Sequence, residues 1–181
     1  MQTGFASVTF EHGGVKYKRE YFVSYPDQLA VVRLTTSEPG KLSFFVSTAQ
    51  VGGLKGNYQV SDAATGHLTL TSKVSDNNLK AEMQLRLSNR GGALVSDSAN
   101  LRVKNADEVV IVMTTGTNYA NSYPSYRGED PHERLTKRVN QAQALGFETL
   151  RQRHIEDHQG LFGRVASMWV APCRLSPRTN Q

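Results

Sequence analysis

The sequence specifies an antiparallel β-sandwich followed by two short α-helices. Three observations say so. Apolar and polar residues alternate with a period of two over the first two thirds of the chain, a wholly apolar run follows at Val109–Met113, and the apolar spacing turns helical after Asp130.

The strands come in order. Ala6, Val8 and Phe10 alternate with Ser7, Thr9 and Glu11. After the turn signal His12-Gly13-Gly14, Val15, Tyr17, Tyr21 and Val23 alternate with Lys16, Lys18 and Glu20, which predicts a hairpin with one wet face. Similar patterns run from Gln28 to Thr35, Lys41 to Ala49, His67 to Lys73, Leu79 to Ser88 and Ala99 to Lys104. The breaks hold Pro39-Gly40, Gly52-Gly53, Asp76-Asn77-Asn78 and Gly91-Gly92, residues that supply turn geometry at low steric cost. Within Leu79 to Ser88, Ala81, Met83, Leu85 and Leu87 share one side, with Glu82, Gln84, Arg86 and Ser88 on the other. Val109-Val110-Ile111-Val112-Met113 has no polar side and is expected to be a central strand buried on both faces.

A polar, aromatic loop follows Gly116: Thr117-Asn118-Tyr119-Ala120-Asn121-Ser122-Tyr123-Pro124-Ser125-Tyr126. Asp130-Pro131-His132-Glu133 then reads as a helix start, with Asp130 able to cap free amides, Pro131 suited to the first turn and Glu133 placed as a capping-box acid. Leu135, Val139, Ala142 and Leu145 follow at helical spacing. Gly146 interrupts, and Leu150, Ile155, His158, Leu161, Phe162 and Val165 suggest a second helix. Pro172 to Gln181 has no periodicity and is expected to be disordered.

A chain of 181 residues suffices for one sandwich with a helical appendage, while two full domains would be a squeeze. Its 38% hydrophobic and 20% charged residues lie in the globular range, so a packed core is expected. The net charge of +5 invites a nucleic-acid reading, yet Lys16, Lys18, Arg19, Arg86 and Arg90 are scattered, and the later cations sit beside Glu133, Glu148, Glu156 and Asp157. With no recognised binding module, no nucleic-acid partner is expected. Lone Cys173 excludes an intramolecular disulfide. Residues 1–30 hold no export signal, and no run approaches the roughly 18 apolar residues of a membrane span, so no membrane partner is expected either.

Candidate chemistry is sparse. His154 and His158, four residues apart, could share a metal on one helix face. The zinc protease motifs, however, put a Glu directly after the first His or directly before the second, and Ile155 and Asp157 stand there instead, with no third ligand spaced nearby. A capped, partly buried helix face is the favoured reading, with no metal and no cofactor. The loop from Thr117 to Tyr126 offers amides, hydroxyls and tyrosines, the amphipathic surface a sugar ring uses through stacking and hydrogen bonds, but a plain polar connection leaving a buried strand is the favoured reading. Asp27, Glu38, Asp62, Asp76 and Asp107 sit in or beside turn signals, where acids usually serve the turn. There is no G-x-S-x-G elbow, phosphate loop or dinucleotide fingerprint. No catalytic residue is therefore assigned.

An ordered set of segments carries a family resemblance. Gly14-Val15-Lys16-Tyr17-Lys18-Arg19-Glu20-Tyr21-Phe22, Tyr25-Pro26-Asp27-Gln28, Val31-Val32-Arg33-Leu34, Gly40-Lys41-Leu42-Ser43-Phe44, Ala106-Asp107-Glu108-Val109 and Thr117-Asn118-Tyr119 resemble the N-terminal sandwich of alpha-L-fucosidases of glycoside hydrolase family 95. Arg153-His154-Ile155-Glu156-Asp157-His158 and Leu161-Phe162-Gly163-Arg164-Val165 resemble the helical linker that follows it.

The resemblance implies a galactose-mutarotase-like supersandwich, incomplete here because the family's Trp-rich opening with its Gly-Asn-Gly segment is not found. The expected organisation is a partial sandwich domain over 1–118, a loop over 119–130, linker helices over 131–168 and a disordered tail over 169–181. It also implies that the histidine pair is linker-helix packing. Hydrolysis of terminal alpha-L-fucose with inversion would belong to a downstream helical barrel, and no family catalytic residue maps onto this chain. The implied role is to brace that barrel and shape the rim of its fucose site, with the barrel and fucosylated glycans as partners, while Asn118 and Tyr119 are substrate-binding candidates on the composition of their own loop. Family members are often exported, and the compartment is left open. The alternative is a stand-alone carbohydrate-binding module, which expects Tyr119, Tyr123 and Tyr126 exposed on one surface.

Overall fold

The computed structural model describes residues 3–47, 54–62, 66–74, 76–97 and 100–164. Their strands are β1 (Ala6–His12), β2 (Val15–Ser24), β3 (Leu29–Thr36), β4 (Leu42–Val46), β5 (Leu54–Asp62), β6 (His67–Val74), β7 (Lys80–Arg90), β8 (Ala93–Asp97), β9 (Asn100–Ala106) and β10 (Glu108–Thr117), followed by α1 (His132–Phe162). A seven-stranded sheet has the order β1-β2-β3-β10-β7-β6-β5, and a three-stranded sheet the order β4-β9-β8. All pairings are antiparallel. The architecture is thus mainly β, an antiparallel sandwich, as the period-two alternation implies.

Turn chemistry sets the registers. Gly13 and Gly14 both have positive φ, 60° and 79°, between the paired His12 and Val15, the geometry of a two-residue hairpin loop whose twist suits the flanking strands. Gly91 and Gly92, at φ 68° and 63°, carry the chain from β7 in the large sheet to β8 in the small one. A Cβ on Gly92 would collide with the Lys104 carbonyl, so this crossing needs glycine for space as well as for conformation.

β10 lies between β3 and β7, with Ile111 opposite both Val32 and Leu87. Val109, Ile111 and Met113 belong to the core between the sheets, packed with Leu68, Leu85 and Leu87 of the large sheet and Leu42, Leu101, Val103 and Ala106 of the small one. Val110 and Val112 belong to a second core on the opposite face, where Phe22, Leu29 and Val31 meet Val139, Ala142, Phe147 and Leu150 of α1. The wholly apolar run is therefore a strand with two dry faces. The layers are small sheet, large sheet, helix.

The helical segment is one element with a break. Gly146 sits at φ 75° and ψ 166°, outside helical geometry, so the two short helices expected appear as two arms of α1. The break also rotates the apolar face. Leu145, expected to face inward, is exposed, and Phe147, which the spacing passed over, is buried in its place.

Three other differences have physical causes. The wet face expected of the β1–β2 hairpin is, along β2, the face on which Glu20, Phe22 and Ser24 are buried, whereas Val23 is 70% exposed. Phe22 there packs under α1, while β1 is exposed throughout. β5 and β8 were not anticipated: Gly56 and Asn57 interrupt the pattern of one, and the other has only five residues. Strand ends shift by one to four residues, β4 spanning Leu42–Val46, β9 beginning at Asn100 and β10 running on to Thr117. Ala49, Gly52, Gly53, Ala99, the end of the expected linker helices from Val165, and the tail with Trp169 and Cys173 lie outside the described residues.

Candidate functional site

The loop between β10 and α1 is held by its backbone. Asn118 and Lys80 exchange two bonds, the Lys80 amide donating to Asn118 Oδ1 at 2.9 Å and the Asn118 amide to the Lys80 carbonyl at 3.2 Å. The Gly128 amide donates to the Asn118 carbonyl at 2.7 Å, and Tyr119 forms a bridge with Arg127. Inside the loop, the Tyr126 amide donates to the Ser122 carbonyl at 2.8 Å and the Ala120 amide to the Tyr126 carbonyl at 3.3 Å. The Arg127 guanidinium reaches the Asn77 carbonyl at 2.5 Å, which ties the loop to the β6–β7 turn.

This lattice leaves the aromatic side chains outside it. Tyr119, Tyr123 and Tyr126 are 56%, 85% and 40% exposed. The rings of Tyr119 and Tyr126 are parallel to within 1°, with centroids 6.4 Å apart, and Tyr123 stands across Tyr126 at 83° and 6.3 Å. Asn118, paired with Tyr119 as a substrate-binding candidate, has its side-chain oxygen engaged in anchoring the loop.

Next to the loop, Asp130 joins Lys80 to the start of α1. Its Oδ2 accepts from Lys80 Nζ at 2.7 Å and its Oδ1 from the His132 amide at 3.1 Å. The Lys80 ammonium, and then the His132 amide, hold its carboxyl below the usual value of 3.8. Pro131 is the N-cap residue, and its carbonyl accepts from the Leu135 amide at 3.0 Å.

Sequence reasoning missed a polar network beneath the first arm of α1. Gln84, wholly buried on β7, donates through Nε2 to Glu82 Oε1 at 2.6 Å and to Thr136 Oγ1 at 2.9 Å, while its Oε1 lies 3.0 Å from His67 Nε2. His132 Nδ1 is 3.0 Å from Glu82 Oε1. These groups join sheet and helix where apolar packing gives way to polar matching, and both atoms of the buried Gln84 amide find partners.

The histidine pair lies on the second arm. His154 is buried and stacks on Phe22 at 5.0 Å between centroids, and its Nε2 donates to the Gly4 carbonyl at 3.1 Å. His158 stacks on His154 at 6.0 Å and on Phe162 at 5.4 Å. Among the described residues, no three of His, Cys, Asp or Glu gather as metal ligands would. An open groove of about 630 Å³ runs beside this stack, with Phe5, Phe22, Val31, His158 and Phe162 on its walls.

Three of the acids near turns, Asp27, Glu38 and Asp107, have partners. Asp27 accepts from Ser24 Oγ at 2.6 Å and pairs with Arg153 at 3.0 Å, Asp107 Oδ1 accepts from the Gly40 amide at 2.7 Å, and Glu38 lies 3.5 Å from Lys41. Arg33 is surrounded by Glu108 at 2.8 Å, Glu148 at 2.9 Å and Glu20 at 3.9 Å, and lies over the Phe147 ring at 4.6 Å. Among the described residues, no helix is long and apolar enough to cross a membrane.

Known proteins resemble this chain, some in sequence and one in fold. The family profile described as "Glycosyl hydrolase family 65, N-terminal domain" matches residues 1–122. Alpha-L-fucosidase 2 of Arabidopsis thaliana is 26% identical over 92% of this chain, and probable alpha-fucosidase A of Aspergillus oryzae is 26% identical over 88%. The chain spans only 22% and 23% of those two proteins. Among solved structures, the "Putative kojibiose phosphorylase from human microbiome" superposes with a TM-score of 0.65 over 89% of this chain and 24% of its own length. At 9% identity, that likeness is one of fold alone. Since the profile takes in 122 of the 181 residues, the chain belongs to the glycosyl hydrolase family 65 N-terminal-domain family, as an N-terminal β-sandwich of glycoside-hydrolase type.

Proposed function

We propose that this chain is the non-catalytic N-terminal part of an alpha-L-fucosidase of glycoside hydrolase family 95, bracing a helical-barrel catalytic domain outside these residues. The observation that carries the reading is coverage. Almost the whole chain aligns with fucosidases, yet it accounts for less than a quarter of each. Hydrolysis with inversion needs a general acid and a base-activated water held across a cleft, and in this reading both come from the barrel.

The bracing role has support in the layers. α1 lies across β2, β3, β7 and β10 and ends at Leu161 and Phe162, which are 55% and 50% exposed beside the apolar groove. Apolar surface left open at the end of a helix packed on the sheet suits contact with a neighbouring domain.

The reading is tested in an intact relative. The matching region of the Arabidopsis alpha-L-fucosidase 2 is replaced by this chain in one variant and excised in another. Bracing expects the exchanged protein to stay soluble and cleave an aryl alpha-L-fucoside, and the excised one to lose stability and activity together. An excised enzyme with unchanged stability and turnover would overturn it.

A further inference from the structure

We infer that Tyr119, Tyr123 and Tyr126 form a binding platform for a neutral oligosaccharide, a function separate from bracing. The exposure of the rings is the first ground. Three tyrosines within one short loop are between 40% and 85% exposed, which leaves aromatic surface in water beyond the contacts the rings make with one another. Tyrosine presents an apolar face and a polar hydroxyl, the pairing that matches the C–H face and rim hydroxyls of a pyranose.

Arrangement is the second ground. Two rings share one plane direction and the third stands across it, so a saccharide can lie on one ring face while meeting the edge of another. The backbone behind them is fixed at both ends, to Lys80 through Asn118 and to Asn77 through Arg127. A platform ordered beforehand gives up less conformational freedom when it binds, which matters for a ligand whose contacts are individually weak. Asn118 acts here as a positioning residue.

Charge is the third ground. From Thr117 to Tyr126 the loop carries no ionisable acid or base that is charged at neutral pH, and the neighbouring Asp130 and Arg127 are engaged with Lys80 and with the Asn77 carbonyl. An anionic ligand finds no free cation on the loop itself. A neutral sugar needs none.

The test is an NMR titration of the purified chain with fucosyllactose, a neutral trisaccharide offering fucose, galactose and glucose ring faces. The expected result is saturable shifts confined to the loop, with affinity falling about tenfold in Tyr119→Ala and Tyr123→Ala. Tyr123→Phe, which keeps the ring face, should stay within a few-fold of the parent, and Tyr25→Ala, which removes an exposed tyrosine on another loop, should change nothing. Because these side chains are exposed, circular dichroism should show all variants folded. Shifts that fail to saturate, or that persist unchanged in the Tyr119 and Tyr123 variants, would overturn the proposal and leave the bracing role untouched.

Discussion

Gln84 occupies a strand position that alternation assigns to water, yet it is wholly buried, and its amide joins Glu82, His67 and Thr136. Replacing it by Ala leaves a buried carboxylate and a buried imidazole short of a partner each. Gln84→Ala should therefore lower stability by about 1–3 kcal/mol, seen as a reduced urea midpoint at unchanged slope. An exposed glutamine such as Gln141 should tolerate the same change with little effect. The polar character of Glu82 and Gln84 was legible in the sequence, but their burial was not. Their partners His132 and Thr136 lie about fifty residues further on, and no local pattern announces such a match. Tyr119 differs: its surroundings in a polar loop pointed to exposure, whereas the anchoring role of Asn118 depends on Lys80, distant in sequence.

At the scale of elements, α1 depends on its two ends and its break. Asp130 has its pKa lowered by Lys80 and the His132 amide, so the stability it contributes is complete above its ordinary value of 3.8 and is lost as pH falls through the lower folded value. Acidification below that ordinary value should loosen the first turn of α1, visible in the amide shifts of His132 to Leu135. Asp130→Asn should show weaker docking of that turn at neutral pH and no further acid step there. Gly146 stands in a backbone region that only glycine occupies readily, although a Cβ would meet nothing there. Gly146→Ala should cost about 1–3 kcal/mol through strain or by straightening the helix. Hydrogen exchange should quicken in the second arm, which carries Phe147, Leu150 and His154, more than in the first. The glycine announced the break from sequence. The change of face, from Leu145 to Phe147, follows from the angle at which the arms meet the sheet, and spacing alone carries no such angle.

Across the whole molecule, the large sheet is shared by two cores. Leu68 lies in the one between the sheets and Leu150 in the one beneath α1, both fully buried. Leu68→Ala and Leu150→Ala should each lower stability by about 2–5 kcal/mol. Because β10 contributes to both cores, each substitution should shift one common unfolding transition, and two separate transitions would show that helix and sandwich are independent. The sandwich class and the central strand were legible in alternation and in the apolar run, since burial on one or two faces writes directly onto the period. Glycine in β5 and shortness in β8 left those strands without a readable period. The sandwich fold is that of an N-terminal glycoside-hydrolase domain, and the non-catalytic role proposed above puts catalysis outside this chain. Hydrolysis of an aryl alpha-L-fucoside by the purified, demonstrably folded chain, beside the intact Arabidopsis relative, tests this most directly. No turnover is expected from the chain under conditions where the relative is active, and turnover that survives repurification would place a catalytic site within it.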